Sequence, residues 1–191
     1  MVIGPGSLFT SILPNLAVPD IAEALRRSSA VKLYVCNVMV EPGETDGFSA
    51  YDHVEAILRH GDFKLDYVLL NSEHASEELI RQYQLAEMIQ QYHWLQGLEL
   101  DTDRFSYAEL LARLDLSRLP ELPEADRSRI QVLYRPDVDH RIPAQVVQEP
   151  LLHETVIRER NETLRVLRHE PLKLAGAIVR LLERHYTSAN G

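Results

Sequence analysis

The sequence predicts an α/β fold, a doubly wound and mostly parallel sheet with helices on both faces. Three observations predict it. The stretches "VKLYVCNVMV" (31–40) and "LDYVLLN" (65–71) are apolar with hardly any alternation, the mark of strands covered on both faces. An amphipathic helical stripe, Ala50, Val54, Ile57 and Leu58, lies between them. Strands and helices then keep alternating, which in a single layer calls for parallel pairing.

The elements follow in order. Val2-Ile3 reads as the end of a buried strand. Gly4-Pro5-Gly6 turns, and Ser7 can cap a buried helix from Leu8 toward Leu16, with Leu8, Phe9, Ile12, Leu13 and Leu16 apolar and Pro14 kinking or ending it. Pro19 sits in the first turn of a second helix to about Ser29, with Ile21, Ala22 and Leu25 at helical spacing. The central strand ends at Asn37 and gives way to "EPGETDGF". Ser49 and Asp52 form a capping-box pattern. After the strand ending at Asn71, Ser76 caps a helix whose first turn carries Glu77 and Glu78, where the helix dipole favours acids.

Regularity fades after about Tyr92. An insertion is expected over about 94–128, with one short helix (Tyr107, Leu110, Leu111, Leu114) boxed by Ser106 and Glu109. "IQVLYRP" (130–136) reads as another strand and "IPAQVVQEP" (142–150) as an edge strand. Pro171 opens the last helix, faced by Leu174, Ala175, Ile178, Leu181 and Leu182.

With 191 residues and 45% hydrophobic composition, one domain with a real core is expected. A net charge of −9 argues against a nucleic-acid polymer as partner. The single cysteine, Cys36, excludes an intrachain disulfide and sits in an apolar strand, so it reads as core. No apolar run is long enough to span a membrane and no secretory start is visible, so a cytoplasmic protein without a membrane partner is expected.

In a parallel sheet ligands gather at the carboxyl ends of the strands. The loops "GPGS", "NVMVEPGETDG" and "NSEH" all fall there and should lie side by side. Gly4, Pro5, Gly6 and Ser7, with Thr10 and Ser11 on the same helix face, could seat a phosphate on free backbone N–H groups; the alternative is a capped turn holding nothing. Asn37, Thr45 and Asp46 stand in a loop with Glu41 and Glu44. Its acids could meet a sugar hydroxyl, hold a divalent ion or act as a base, or form a solvated turn. Asn71 could read a base or ribose, or tie down its own turn. Arg168-His169 could fork a phosphate and Tyr83 could stack on a base, or both could be ordinary surface residues.

These residues carry a resemblance. "VIGPGSLFTSILPNLAVPDIAEAL", "KLYVCNVMVEPGETDGFSAYDHVEAIL" and "DYVLLN", then "LRHEPLKLAGAIVRLLE", resemble the YvcK gluconeogenesis-factor family, related to the 2-phospho-lactate transferase CofD. The resemblance implies a Rossmann-like fold and a nucleotide sugar, such as a UDP-sugar, as ligand and small-molecule partner. It implies a role in growth on gluconeogenic carbon and in cell shape. It places Gly4, Gly6, Ser7, Thr10, Ser11, Asn37, Thr45, Asp46 and Arg168 on matching motif positions, with Tyr83 as a second sugar-nucleotide contact. Val40-Glu41 replace the usual Thr-Gln, and Glu170 an Asp or Asn. The match covers the C-terminal part of the family alone, so a partial domain lacking the N-terminal βα units is expected. Three functions follow. The first is a UDP-sugar-binding regulator. The second is a transferase of a 2-phospho-lactyl-type group to a deazaflavin, with Asp46 as candidate base or metal ligand. The third is an inactive copy acting by association, as a homo-oligomer or with a missing N-terminal half. No cofactor beyond the UDP-sugar is fixed, and a divalent metal stays open.

Overall fold

The computed structural model describes residues 1–95, 126–159 and 162–188. Its main sheet has four strands in the order β1 (Val2–Ile3), β2 (Leu33–Val35), β3 (Tyr67–Asn71) and β4 (Gln145–Glu149), every neighbouring pair parallel. All four carboxyl ends therefore lie on one edge. Among the described strands the order follows the sequence without reversal.

Strand alternation splits the central residues between two cores. Tyr34, Cys36, Val68 and Leu70 pack toward one face. There they meet Leu8, Ile12 and Leu16 of the first helix, Leu25 of α2 (Pro19–Arg27), and Val54 and Ile57 of α3 (Ala50–Gly61). Leu33, Val35 and Leu69 point the other way, onto Ala177 and Leu181 of the last helix, α6 (Pro171–Ser188). Because both faces are covered, neither strand needs polar alternation. A third cluster lies under α4 (Glu77–Leu95) and gathers Val38, Leu79, Ile80 and Ile130 with Leu152 and Leu167.

The first helix winds in π form over Leu8–Ile12 and continues as α1 (Leu13–Leu16). The wider turn lies just ahead of Pro14, which has no N–H to give and whose ring crowds a preceding carbonyl. Phe9, expected inside, is 42% exposed; the widened turn rotates it off the core face, where its ring meets Phe48 edge-on. The capping box at α3 forms in full: Asp52 N–H donates to Ser49 Oγ (3.2 Å) and Ser49 N–H donates to Asp52 Oδ2 (2.7 Å).

Two further expectations fail. No strand forms over 130–136. Gln131 makes a lone antiparallel bridge to Met39, and Pro136 opens the short helix α5 (Pro136–Asp139). The place beside β3 is taken by β4, and the Gln131 amide is turned away to accept Ala75 N–H at 2.9 Å. On α6 the buried face carries Ala177 rather than Ala175, because Leu181 and Ala177 sit one turn apart over β2. The insertion's expected helix around Tyr107–Leu114 lies outside the described residues.

The C-terminal part adds an antiparallel hairpin, β5 (Leu152–Glu159) with β6 (Glu162–His169). Sequence reading missed it. Its β-branched residues Thr155, Val156, Thr163 and Val166 were a signal, but charged neighbours blur the alternation.

Candidate functional site

The loop after β1 turns at Gly4. Its φ is +75°, and a Cβ there would stand 2.9 Å from the Val35 carbonyl oxygen, so only glycine fits. The loop is thus pressed against the end of β2. Gly6 N–H reaches Asn37 Oδ1 at 3.4 Å, and Ser7 Oγ accepts Thr10 N–H at 3.1 Å as the helix cap. The Gly6–Asn37 contact thus joins the ends of β1 and β2.

Across from it stands the end of β6. Tyr83 on α4 fixes that strand: its hydroxyl accepts Leu167 N–H at 3.1 Å. Arg168 follows, exposed, and its side chain makes no hydrogen bond or ion pair with the described residues. Between these walls lies a cleft of about 630 Å³, lined by Pro5, Gly6, Ser7, Asn37, Val38, Met39, Glu41, Leu167, Arg168 and His169.

The cleft brings together Pro5, Gly6, Ser7, Asn37 and Arg168 of the expected residues. The others are placed differently. Gly4 and Ser11 line a second groove of about 640 Å³ beside β1 and α2, which Pro5 and Gly6 share. Thr10 is exposed and touches the site through its N–H. Thr45 is fully buried, and its hydroxyl accepts Glu41 N–H at 2.8 Å. Asp46 Oδ2 accepts Gly43 N–H at 2.7 Å. Both shape the acidic loop from within. Asn71 is 1% exposed and spends its amide on Glu73 O (2.7 Å), Glu73 N–H (3.2 Å) and Leu151 N–H (3.1 Å). The reading of Asn71 as the tie of its own turn is the one its bonds favour. Tyr83 lies behind the cleft wall as a support for β6.

Two cleft residues, Glu41 and His169, were named in the sequence only beside the candidates Asn37 and Arg168, and Met39 was not singled out at all. Glu41 shared the roles open to the loop's acids; its carboxyl is pushed up, first by burial, with Ser7 and Leu8 N–H opposing and Glu44 reinforcing the rise. His169 is drawn down by burial, against the Cys36 carbonyl beside it, so the neutral ring is favoured. Met39 supplies apolar wall. Their signal was adjacency to Asn37 and Arg168. The neighbouring Cys36 thiol is pushed up to about 12 by burial, which removes it as a nucleophile.

Comparison with known proteins bears on this geometry. A family model described as 2-phospho-L-lactate transferase CofD matches residues 1–106, which include the loops after β1, β2 and β3. The chain belongs to the CofD family. Two curated relatives carry the name gluconeogenesis factor. The one from Bacillus subtilis is 50% identical over 86 residues, 44% of this chain and 27% of its own length. The one from Halalkalibacterium halodurans is 51% identical over 84 residues, 44% of this chain and 26% of its own. A crystal structure of a UPF0052 family member from Bacillus halodurans superposes with a TM-score of 0.60 at 29% identity, covering 93% of this chain and 42% of that one. The CofD-family chain thus spans well under half the length of these relatives. Among its described residues no helix is long and apolar enough to cross a membrane.

Proposed function

We propose that this chain binds a nucleotide sugar, with a UDP-sugar pyrophosphate lying between the Gly6–Ser7 turn and Arg168. One observation carries the reading. The exposed guanidinium of Arg168 and the donors of the β1 loop face the same cleft although they come from opposite ends of the chain. A planar guanidinium fork suits two phosphoryl oxygens, and a helix start suits a third. The cleft volume of about 630 Å³ is in the range of small-ligand sites. Asn37, on the same lining, would meet a sugar or ribose hydroxyl. The role that fits is a cytoplasmic regulator of carbon metabolism and cell shape that senses a sugar nucleotide.

The transferase reading is less favoured here. It needs a free base or metal ligand, and Asp46 is committed to the Gly43 N–H outside the cleft lining. Among the described residues no group of three or more His, Cys, Asp or Glu could hold a metal.

Isothermal titration of the full-length protein with UDP-glucose and UDP-N-acetylglucosamine tests the proposal. Saturable binding is expected, and Arg168→Ala should weaken it about tenfold or more, the effect of losing a charge-assisted pair. Absence of heat at millimolar ligand, or an unchanged affinity in Arg168→Ala, would overturn it.

A further inference from the structure

Three donors at the Ser7 end of the cleft already have an acceptor from the chain itself. Gly6 N–H points to Asn37 Oδ1 (3.4 Å), the Ser7 hydroxyl donates to Glu44 Oε2 (3.1 Å), and Thr10 N–H donates to Ser7 Oγ (3.1 Å). The Glu41 carboxyl lies beside the same Ser7 hydroxyl and the Leu8 N–H. Two carboxylates of one loop therefore stand where an incoming phosphoryl group would stand.

That loop is built to hold them there. Glu44 and Thr45 N–H groups both donate to the Glu41 carbonyl (3.0 and 2.9 Å), and buried Thr45 Oγ1 accepts Glu41 N–H (2.8 Å). Glu41 Oε2 is itself buried and has no hydrogen-bond partner among the described residues. An oxygen in that state gains nothing from its position, and a nearby anion would raise its energy further.

We propose that the Glu41–Glu44 turn is a built-in anionic competitor for the phosphoryl seat at Ser7, which a phosphorylated ligand must displace or find protonated. The inference rests on the cleft being the ligand site. The charged and titratable groups facing Glu41 are Glu44 on its own loop, Tyr34 from β2, and Arg168 and His169 across the cleft. Acids outnumber the one fixed cation, so an anion entering beside them raises the Glu41 carboxyl further. Binding then takes up a proton, and affinity rises as pH falls.

The experiment titrates wild type, Glu41→Gln and Glu44→Gln with UDP-glucose, whose pyrophosphate diester keeps its charge, at about pH 5.5 and about pH 8. Inorganic pyrophosphate is the second probe, compared between variants at a single pH. Thermal melts confirm that the near-isosteric variants are folded. Glu41→Gln should bind UDP-glucose about tenfold tighter than wild type at the alkaline pH, with the gap closing at the acid pH. Glu44→Gln should move the same way. Equal affinities, or a weaker Glu41→Gln, would overturn the competitor. Should UDP-glucose bind no form while pyrophosphate enters Glu41→Gln better than wild type, the nucleotide-sugar reading falls and the competitor stands. If neither anion binds any form, both fall.

Discussion

Asn37 and Asn71 come at the ends of neighbouring parallel strands and look alike in sequence. In the fold they differ. Asn71 is 1% exposed and makes three hydrogen bonds, to both backbone groups of Glu73 and to Leu151 N–H. Glu73 in turn accepts Leu152 N–H at 2.7 Å and pairs with Lys173 at 3.2 Å, so this turn fastens β3 to the start of β5 and to α6. Asn37 is half-buried, its side chain accepts only a long bond from Gly6 N–H among the described residues, and it lines the cleft. One asparagine is a tie and the other is free to meet a ligand. A polar residue at a strand end marks a functional site only where the surrounding chain leaves its hydrogen bonds unspent.

The largest test of this contrast is Asn71→Ala. It leaves the buried Leu151 N–H and the part-buried Glu73 N–H without an acceptor and should cost about 3 kcal/mol in urea unfolding. A loss under about 1 kcal/mol would erase the distinction. Asn37→Ala should do the reverse: stability within about 0.5 kcal/mol of wild type, but UDP-glucose affinity down about tenfold, near 1.4 kcal/mol. Tyr83→Phe sharpens the boundary between tie and site. It leaves Leu167 N–H without an acceptor, so about 1 kcal/mol of stability should go. Because Arg168 is the next residue, a modest fall in affinity should accompany it.

The smallest effect concerns His53, a second tie. It is fully buried, with Nδ1 donating to the Ser49 carbonyl at 2.8 Å. Burial draws its pKa down, against Ser49, Asp52 and Asp139, so the fold holds it neutral. The unfolded chain takes up the proton first. The contribution of this group to stability is therefore full above the ordinary histidine pKa, about 6.5, and is lost as pH falls below it. His53→Gln should show a smaller drop in melting temperature between about pH 7 and about pH 5 than wild type. An equal drop would assign the acid limb elsewhere, with His169 the next group to examine.

Much of the fold could be read in the chain. The buried parallel strands, the Ser49–Asp52 box, Pro19 and Pro171 at helix starts and the Ser7 cap all formed where periodicity and capping place them. The hairpin and the failed strand at 130–136 could not. β5 and β6 carry mixed charges without clean alternation, and Gln131 has strand-like neighbours but its pairing position was taken by β4. Of the site, Ser7, Asn37 and Arg168 were legible as candidates. The acidic competitor was not, because Glu41 and Glu44 look like any solvated turn until Ser7 is seen beside them.

By itself the sequence determined the capped helices, the buried parallel strands and their order, because apolar periodicity, caps and prolines act over a few residues. Only the tertiary structure decided which polar ends face a cleft and which are consumed. That choice depends on what the distant chain brings alongside: Leu151 to Asn71, and Arg168 to Gly6, Ser7 and Asn37. A buried amide is satisfied by whichever partner arrives, and no local pattern encodes the arrival.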